Sequence, residues 1–382
     1  MVFIGALQFS CFLVLMSEMG RVLIFTASAG AGHISCANAL KEALLEKDST
    51  TEINIVDMFK LSSITSGYEH IYAILSRFYP FEKIFNFFHK MIDRYGWFAK
   101  IAEIITVVPL YKPTMRVLKE YDPDMVVGNN ALLIPVLDKC RKKKEFKYIV
   151  TVTDIITVCR WWASPLADTV FVATEEAEKT LKNFTPKCKI VRDYFSYREI
   201  LPLSDEKYSE VYEYFFSNTK FFPDKPTVLI TGGGLSTRKI LNTMKPFLLS
   251  SNYQFVILTG RDESLRKELQ EEFQDRGNIL VLGFTDRNLD LMAVVDVVIS
   301  KLGSVSVVEI EKLNKRTIFT RPIGHQEYGN VEYIKRNKNF VFVGRDTERI
   351  GKEIERLLKR DIAPTTAHIQ NAGAIAEYVL RK

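Results

Sequence analysis

The chain is poor in the residues that staple small folds or hold metals. Its five cysteines, Cys11, Cys36, Cys140, Cys159 and Cys188, are odd in number, widely spaced and never at CxxC spacing. This argues against a disulfide framework and a cysteine-ligated zinc site, and points to a reducing, cytosolic setting. The five histidines, His33, His70, His89, His325 and His368, never fall at HxxxH or HxH spacing, so no two imidazoles are offered to one metal. There is no repeat of fixed period, no low-complexity tract and no charged tail. Lys and Arg number 52 against 46 Asp and Glu, a net charge of +6 that suits anionic partners without requiring nucleic acid. No Walker lysine follows the first glycine turn, because His33 stands in its place.

What is present is enough apolar material, 47% of 382 residues, for two or three cores. Residues 1–16 are almost wholly apolar but lack the basic start and cleavage site of a secretory signal. They are short for a bilayer span, which takes about 20 apolar residues. They read as a loose extension or an upstream start, with an interfacial anchor as the alternative. From Arg21 the pattern is buried strand (22–27), glycine turn, helix (34–46) and strand (52–56), a βαβ opening. Further strands read at 125–127, 148–153 and 169–172. A second series begins after a polar, aromatic stretch at 193–226, with a strand at 227–231, the turn Gly232-Gly233-Gly234, a helix at 236–249 and a strand at 254–258. Two doubly wound α/β domains follow, facing one another across a cleft at the carboxyl ends of their strands. The expected layout is an extension at 1–20, a first domain at 21–200, a linker at 201–225, a second domain at 226–362 and a C-terminal helix at 363–382.

Two glycine turns carry the chemistry. Ala27-Ser28-Ala29-Gly30-Ala31-Gly32-His33 opens a helix whose free N–H groups attract anionic groups, and the helix start keeps the imidazole of His33 neutral and available as a base. A dinucleotide reading is weaker, since Ser35 replaces the third glycine, although Asp57 ends the second strand where a ribose-binding acid belongs. Asp122 and Asp124 mimic a DxD metal motif but flank Pro123 ahead of a strand, and read as turn chemistry.

The first turn, with Ala37, Ala39 and Leu40, resembles the opening loop of glycosyltransferase family 28, in its branch of monogalactosyldiacylglycerol synthases and processive diacylglycerol glucosyltransferases. Val152-Thr153-Asp154 with Trp162, Asp168 and Ala173-Thr174-Glu175-Glu176 is similar to the next stretch of that branch. Gly260-Arg261, Gly283-Phe284-Thr285-Asp286, Ser300-Lys301 with Gly303 and Glu309, and Pro322-Ile323 with Gln326-Glu327 and Asn330 stand in the family's order. The resemblance covers residues 21–360. Four positions depart from the pattern: Cys159 for His, Leu302 for Pro, Ser304 for a second Gly and His325 for Gly. These leave the donor sugar open.

The resemblance implies a GT-B fold and inverting transfer of glucose or galactose from a UDP-sugar to diacylglycerol or a related membrane lipid. His33 is the expected base, with Asp154 as rival base or acceptor-orienting residue. Gly232, Gly233 and Gly234 cradle the diphosphate without a metal or other cofactor, Gly30 and Gly32 complete the cradle, and Arg261, Lys301 and Gly303 line the donor site. Phe284 borders the uracil, Glu309 accepts the ribose hydroxyls, and Gln326, Glu327 and Asn330 hold the sugar hydroxyls. Eleven aromatics between Tyr68 and Phe98, interleaved with basic residues, read as a membrane-associating segment over 68–111 or as aromatic helices of an ordinary core, and Arg141-Lys142-Lys143-Lys144 with Lys147 reads as a solvated helix end or as added charge for an anionic leaflet. Peripheral attachment to the inner face of the cell membrane and no nucleic-acid partner are expected. The alternatives are an NAD-dependent oxidoreductase built on the first βαβ unit, and an inactive relative that binds nucleotide sugar and membrane.

Overall fold

The computed structural model describes residues 20–381 apart from 29–30, 62–86, 89, 233, 251, 323 and 366–367. The N-terminal apolar segment, Gly30, Gly233 and most of the aromatic segment after Tyr68 lie outside the described residues.

Two six-stranded, all-parallel sheets form the frame. The first runs β2-β1-β3-β4-β5-β6, from β1 (Arg21–Thr26), β2 (Glu52–Asp57), β3 (Met125–Gly128), β4 (Lys147–Thr151), β5 (Thr169–Val172) and β6 (Ile190–Arg192). The second runs β12-β11-β10-β7-β8-β9, from β7 (Thr227–Ile230), β8 (Gln254–Leu258), β9 (Ile279–Leu282), β10 (Val297–Ser300), β11 (Arg316–Thr320) and β12 (Phe340–Gly344). Strand order reverses between β1 and β3 in the first sheet and between β7 and β10 in the second, and crevices open at such points.

The central strands β1, β3, β7 and β10 are almost wholly apolar because helices cover both faces. Leu23 and Phe25 of β1 enter one core with Val126 and Val150, while Val22 and Ile24 enter the opposite core with Leu40, Met125 and Ile149. The helices that position the site are α1 (Ala31–Lys47), α2 (Gly96–Tyr121), α3 (Ile134–Arg141), α4 (Glu175–Phe184), α5 (Asp205–Phe216), α6 (Gly234–Ser250) and α7 (Glu263–Glu272), then α8 (Asn288–Val294), α9 (Ser304–Lys312), α10 (Asn330–Ile334), α11 (Ile350–Leu358) and α12 (Ala372–Leu380). The start of α4 is fixed by Thr174, whose hydroxyl accepts from the Ala177 amide, and by Glu175, Glu176 and Glu178 in the first turn.

The polar stretch before β7 is not plain linker. Ser204 caps α5, and Val211 and Phe216 sink into the second domain's core. The chain then returns: Gln370 bonds to Asp193 and Phe195 through its backbone, and α12 places Ile375, Ala376 and Val379 in the first domain's core. An apolar cluster joins the halves, with Cys36, Ile155 and Ala173 of the first packed with Leu302, Val307 and Tyr333 of the second.

Candidate active site

Three adjacent strand ends of the first sheet converge on His33. The turn after β1 carries it in the first turn of α1. Asn129, after β3, directs its carbonyl at His33 Nδ1 from 3.1 Å, and Thr153, after β4, places Oγ1 2.9 Å from the same nitrogen. A carbonyl only accepts, so Nδ1 carries the proton and donates, and Nε2 keeps its lone pair. Burial lowers the pKa of His33 to about 4, with the Asn129 bond opposing the shift, so the ring is neutral at physiological pH.

Asp154 follows on the same loop. Its Oδ2 accepts from Trp162 Nε1 at 2.7 Å. Burial raises its pKa to about 7, the Trp162 bond opposes that, and the nearby charge of Glu327 from the second domain adds to it. Cys159 begins the 3₁₀ turn Arg160–Trp162, and burial pushes its thiol far up, so it replaces a histidine without replacing its acid–base chemistry.

In the second sheet the residues expected on the donor side follow the carboxyl ends of β7 to β11. Gly232, with φ of 149°, adopts a backbone that only glycine takes readily, and α6 starts two residues later at Gly234. The neighbouring β10 turn carries Lys301, whose Nζ lies 3.0 Å from Glu327 Oε1. A Cβ on Gly303 would sit 3.0 Å from that ammonium, so glycine leaves the room the pair needs. Beyond β8 and β9, the Arg261 guanidinium lies over the Phe284 ring at 5.1 Å, and Phe284 is 63% exposed, an open face for a planar ligand.

The halves meet across these turns. A Cβ built on Gly32 would approach Val305 at the start of α9 to 3.4 Å, and one built on Gly329 would fall 2.2 Å from Thr157 Oγ1 and 2.9 Å from Thr157 N. The helix start at Gly32 therefore faces the start of α9, and the β7 and β10 turns lie side by side behind it.

Some residues sit differently from their expected roles. Glu309 does not point from an open wall: it is 8% exposed, near Cys36 and Arg198 in the domain interface, and burial raises its pKa to about 7. Asn330 is fully buried and donates to Leu302 O and Ser304 Oγ, both at 3.1 Å, so it braces the β10 turn, and its Oδ1 has no partner among the described residues. Ser304, a departure from the family pattern, supplies that brace with its hydroxyl. Gln326 folds back over Gly324, with Oε1 unpartnered among the described residues. Asp57 receives the Ser28 and Phe59 amides at one oxygen, Oδ1, so it ties the first turn to the end of β2. Asp122 and Asp124 are turn residues, as expected, at the amino ends of the strands, where Asp122 pairs with Lys144 and Asp124 accepts from the Arg21 amide. Asn129 and Thr153 are the residues that sequence reasoning missed. Thr153 lies in a quoted motif without a role, and Asn129 acts through its carbonyl, which no side-chain pattern announces.

Residues 33–190 match monogalactosyldiacylglycerol (MGDG) synthase, and residues 227–377 match the glycosyltransferase family 28 C-terminal domain. The chain is a glycosyltransferase similar to family 28. This glycosyltransferase is similar to the processive diacylglycerol beta-glucosyltransferase of Bacillus mycoides (strain KBAB4), 25% identical over 371 residues that span 91% of this chain and 88% of the relative. Its fold is shared with Acinetobacter baumannii MurG, at a TM-score of 0.56 and 14% identity, covering 95% and 98% of the two chains. Anabaena Alr3699/HepE in complex with UDP and glucose superposes at a TM-score of 0.52 and 13% identity, covering 94% and 95%. The GT-B architecture expected from the resemblance is therefore the architecture of this glycosyltransferase.

Proposed function

We propose that the glycosyltransferase moves one hexosyl group, glucose or galactose, from a UDP-sugar to the free hydroxyl of diacylglycerol or a related membrane lipid, with inversion. The observation that carries the reading is His33, neutral, with Nε2 bearing a lone pair, on a helix start that faces the donor-side turns. The acceptor oxygen attacks the anomeric carbon opposite the UDP oxygen. The carbon–oxygen bond to the acceptor forms as the bond to the β-phosphate oxygen breaks, and the acceptor proton passes to Nε2. The leaving diphosphate is held by backbone amides at the starts of α6 and α9 and by Lys301, released from Glu327. These donors carry the charge without requiring a metal. Phe284 and Arg261 stack on the uracil. Asp154 orients the acceptor.

The names of the relatives support the class of acceptor and donor: the B. mycoides protein is a diacylglycerol glucosyltransferase, and the HepE structure holds UDP and glucose. The first domain has the surface for a lipid. On α2, Trp97, Ile101, Ile104, Ile105 and Val108 share one exposed face, Trp97 at 62%, with Phe87 and Phe88 also exposed nearby. A cavity of about 950 Å³ opens beside this face, between α2, α3 and the turn at 160–166, with Trp97, Tyr111 and Trp161 in its walls and Lys100, Lys139 and Lys142 among its lining. Trp161 is next to Trp162, which holds Asp154, so lipid at this surface lies one turn from the cleft. No helix among the described residues is long and apolar enough to cross a membrane, which suits peripheral attachment to the inner leaflet.

The test is incubation with a panel of UDP-sugars and mixed lipid vesicles, followed by product mass. A lipid heavier by one hexose with UDP-glucose or UDP-galactose is expected. No sugar-bearing lipid with any donor, in the presence or absence of chelator, would refute the reading.

A further inference from the structure

The structure assigns Thr153 a positioning role: the carbonyl of Asn129 selects the His33 tautomer whose Nε2 is free to accept a proton, and the Thr153 hydroxyl fixes the orientation of that ring. This inference rests on the reading of His33 as base, and it names the groups that make that reading work.

The arrangement is a relay of neutral groups. Thr26 Oγ1 donates to Asn129 Oδ1 at 3.0 Å, both residues being buried, and the Asn129 amide donates to Phe25 O at 2.9 Å. Held at both places, Asn129 presents its carbonyl to His33 Nδ1. β1, β3 and β4 are neighbours in the sheet, with Phe25 level with Gly128 and Gly128 level with Val150, so the three turns emerge side by side. Thr153 then supplies a second acceptor 2.9 Å from Nδ1. Without it, one bond of 3.1 Å holds the ring about its Cβ–Cγ axis, so the ring turns more freely while the Asn129 carbonyl still selects Nδ1–H.

A carboxylate at this place would raise the basicity of the ring and fix it at once, as in triads that pair histidine with aspartate. Here both partners are uncharged, so they fix orientation and tautomer while leaving the buried ring neutral. As the proton arrives at Nε2, Nδ1–H becomes more acidic, and its two acceptors strengthen at the moment that charge develops. Thr153 therefore acts on turnover more than on donor binding.

The full-length protein, labelled with ¹⁵N at histidine, is compared with Thr153→Val and Thr153→Ser, the His33 resonances being assigned through His33→Gln. Native protein is expected to show only Nδ1–H at His33. Thr153→Val, which keeps shape but loses the hydroxyl, is expected to keep Nδ1–H with shifted and broadened His33 resonances, and to show a fall in kcat of about tenfold with donor KM within about twofold. Thr153→Ser is expected to restore both. A Thr153→Val protein with an unchanged His33 spectrum overturns the assignment, whatever its rate. Equal losses in kcat for Val and Ser, with unchanged spectra, also overturn it, as the mark of a merely structural residue. Normal lipid-dependent turnover by His33→Ala would instead refute His33 as base, and the His33 spectrum of Thr153→Val would still decide the role of Thr153.

Discussion

At His33 the imidazole is buried and its Nδ1 partners are uncharged, so the folded protein binds fewer protons there than the unfolded chain between about pH 4 and the ordinary histidine value of 6.5. The contribution of His33 to stability is present above pH 6.5 and is lost as pH falls towards 4. Asp154 has the opposite sign. Its pKa is raised to about 7, so from the unfolded carboxyl value near 4 upward the folded state holds a proton that the unfolded chain releases, and stability drains away until pH 7. Asp154→Asn keeps an oxygen for Trp162 and removes the ionisation. It should gain about 1–3 kcal/mol over the native protein at pH 8, much less at pH 4, with the gap growing between those values. Urea unfolding at both pH values checks this, and a gap that is constant with pH contradicts it. At this scale the sequence announced His33 and Asp154 through their neighbours, but not Asn129 or Thr153, because a backbone acceptor and a buried hydroxyl leave no charge pattern. Asn330 misled for the converse reason, as a carboxamide suits a sugar hydroxyl and a loop carbonyl equally well. Asn330→Ala should cost about 1–3 kcal/mol by loosening the β10 turn, and raise donor KM, measurable by denaturation and steady-state assay.

Among the elements, α2 carries the most informative surface. Its exposed residues at 97, 101, 104, 105 and 108 fall at helical spacing, so one face is apolar while Val107, Leu110, Thr114 and Leu118 are buried against the domain. Ile104→Lys with Ile105→Lys should leave the fold intact and reduce vesicle binding at least about tenfold, because two charged groups would replace apolar side chains at the hydrocarbon boundary. Vesicle co-sedimentation measures it, and undiminished binding would remove α2 as the membrane face. The long buried strands were legible because a parallel strand covered on both faces is an uninterrupted apolar run, as in β1 and β10. β6, with three residues and no fully buried side chain, was not. Nor was β12, or α5, whose tyrosines and phenylalanines on both core and solvent sides blur the helical period.

For the molecule as a whole, the two turns that define the cleft are brought together by a continuous interface, and this was only half legible. The glycine turns and the strand–helix alternation gave two facing domains. The return of α12 to the first domain and the burial of Glu309 between α1 and α9 depend on tertiary packing that no local pattern encodes. The approach of Gly329 to Thr157 makes a direct test of closure possible. Gly329→Ala places a methyl against the Thr157 backbone, so it should lower kcat by about a hundredfold or more while UDP affinity, held by the second domain, changes less than about threefold. Equal losses in both quantities would show that closure is not what the interface provides.

The most direct measurement on the chemistry is lipid-dependent hexose transfer by His33→Ala beside the native protein, with UDP binding followed in the same preparations. Transfer should fall by at least about a hundredfold, the range expected for loss of a general base, while UDP still binds. Transfer at the native rate by the alanine variant would contradict the account at its centre.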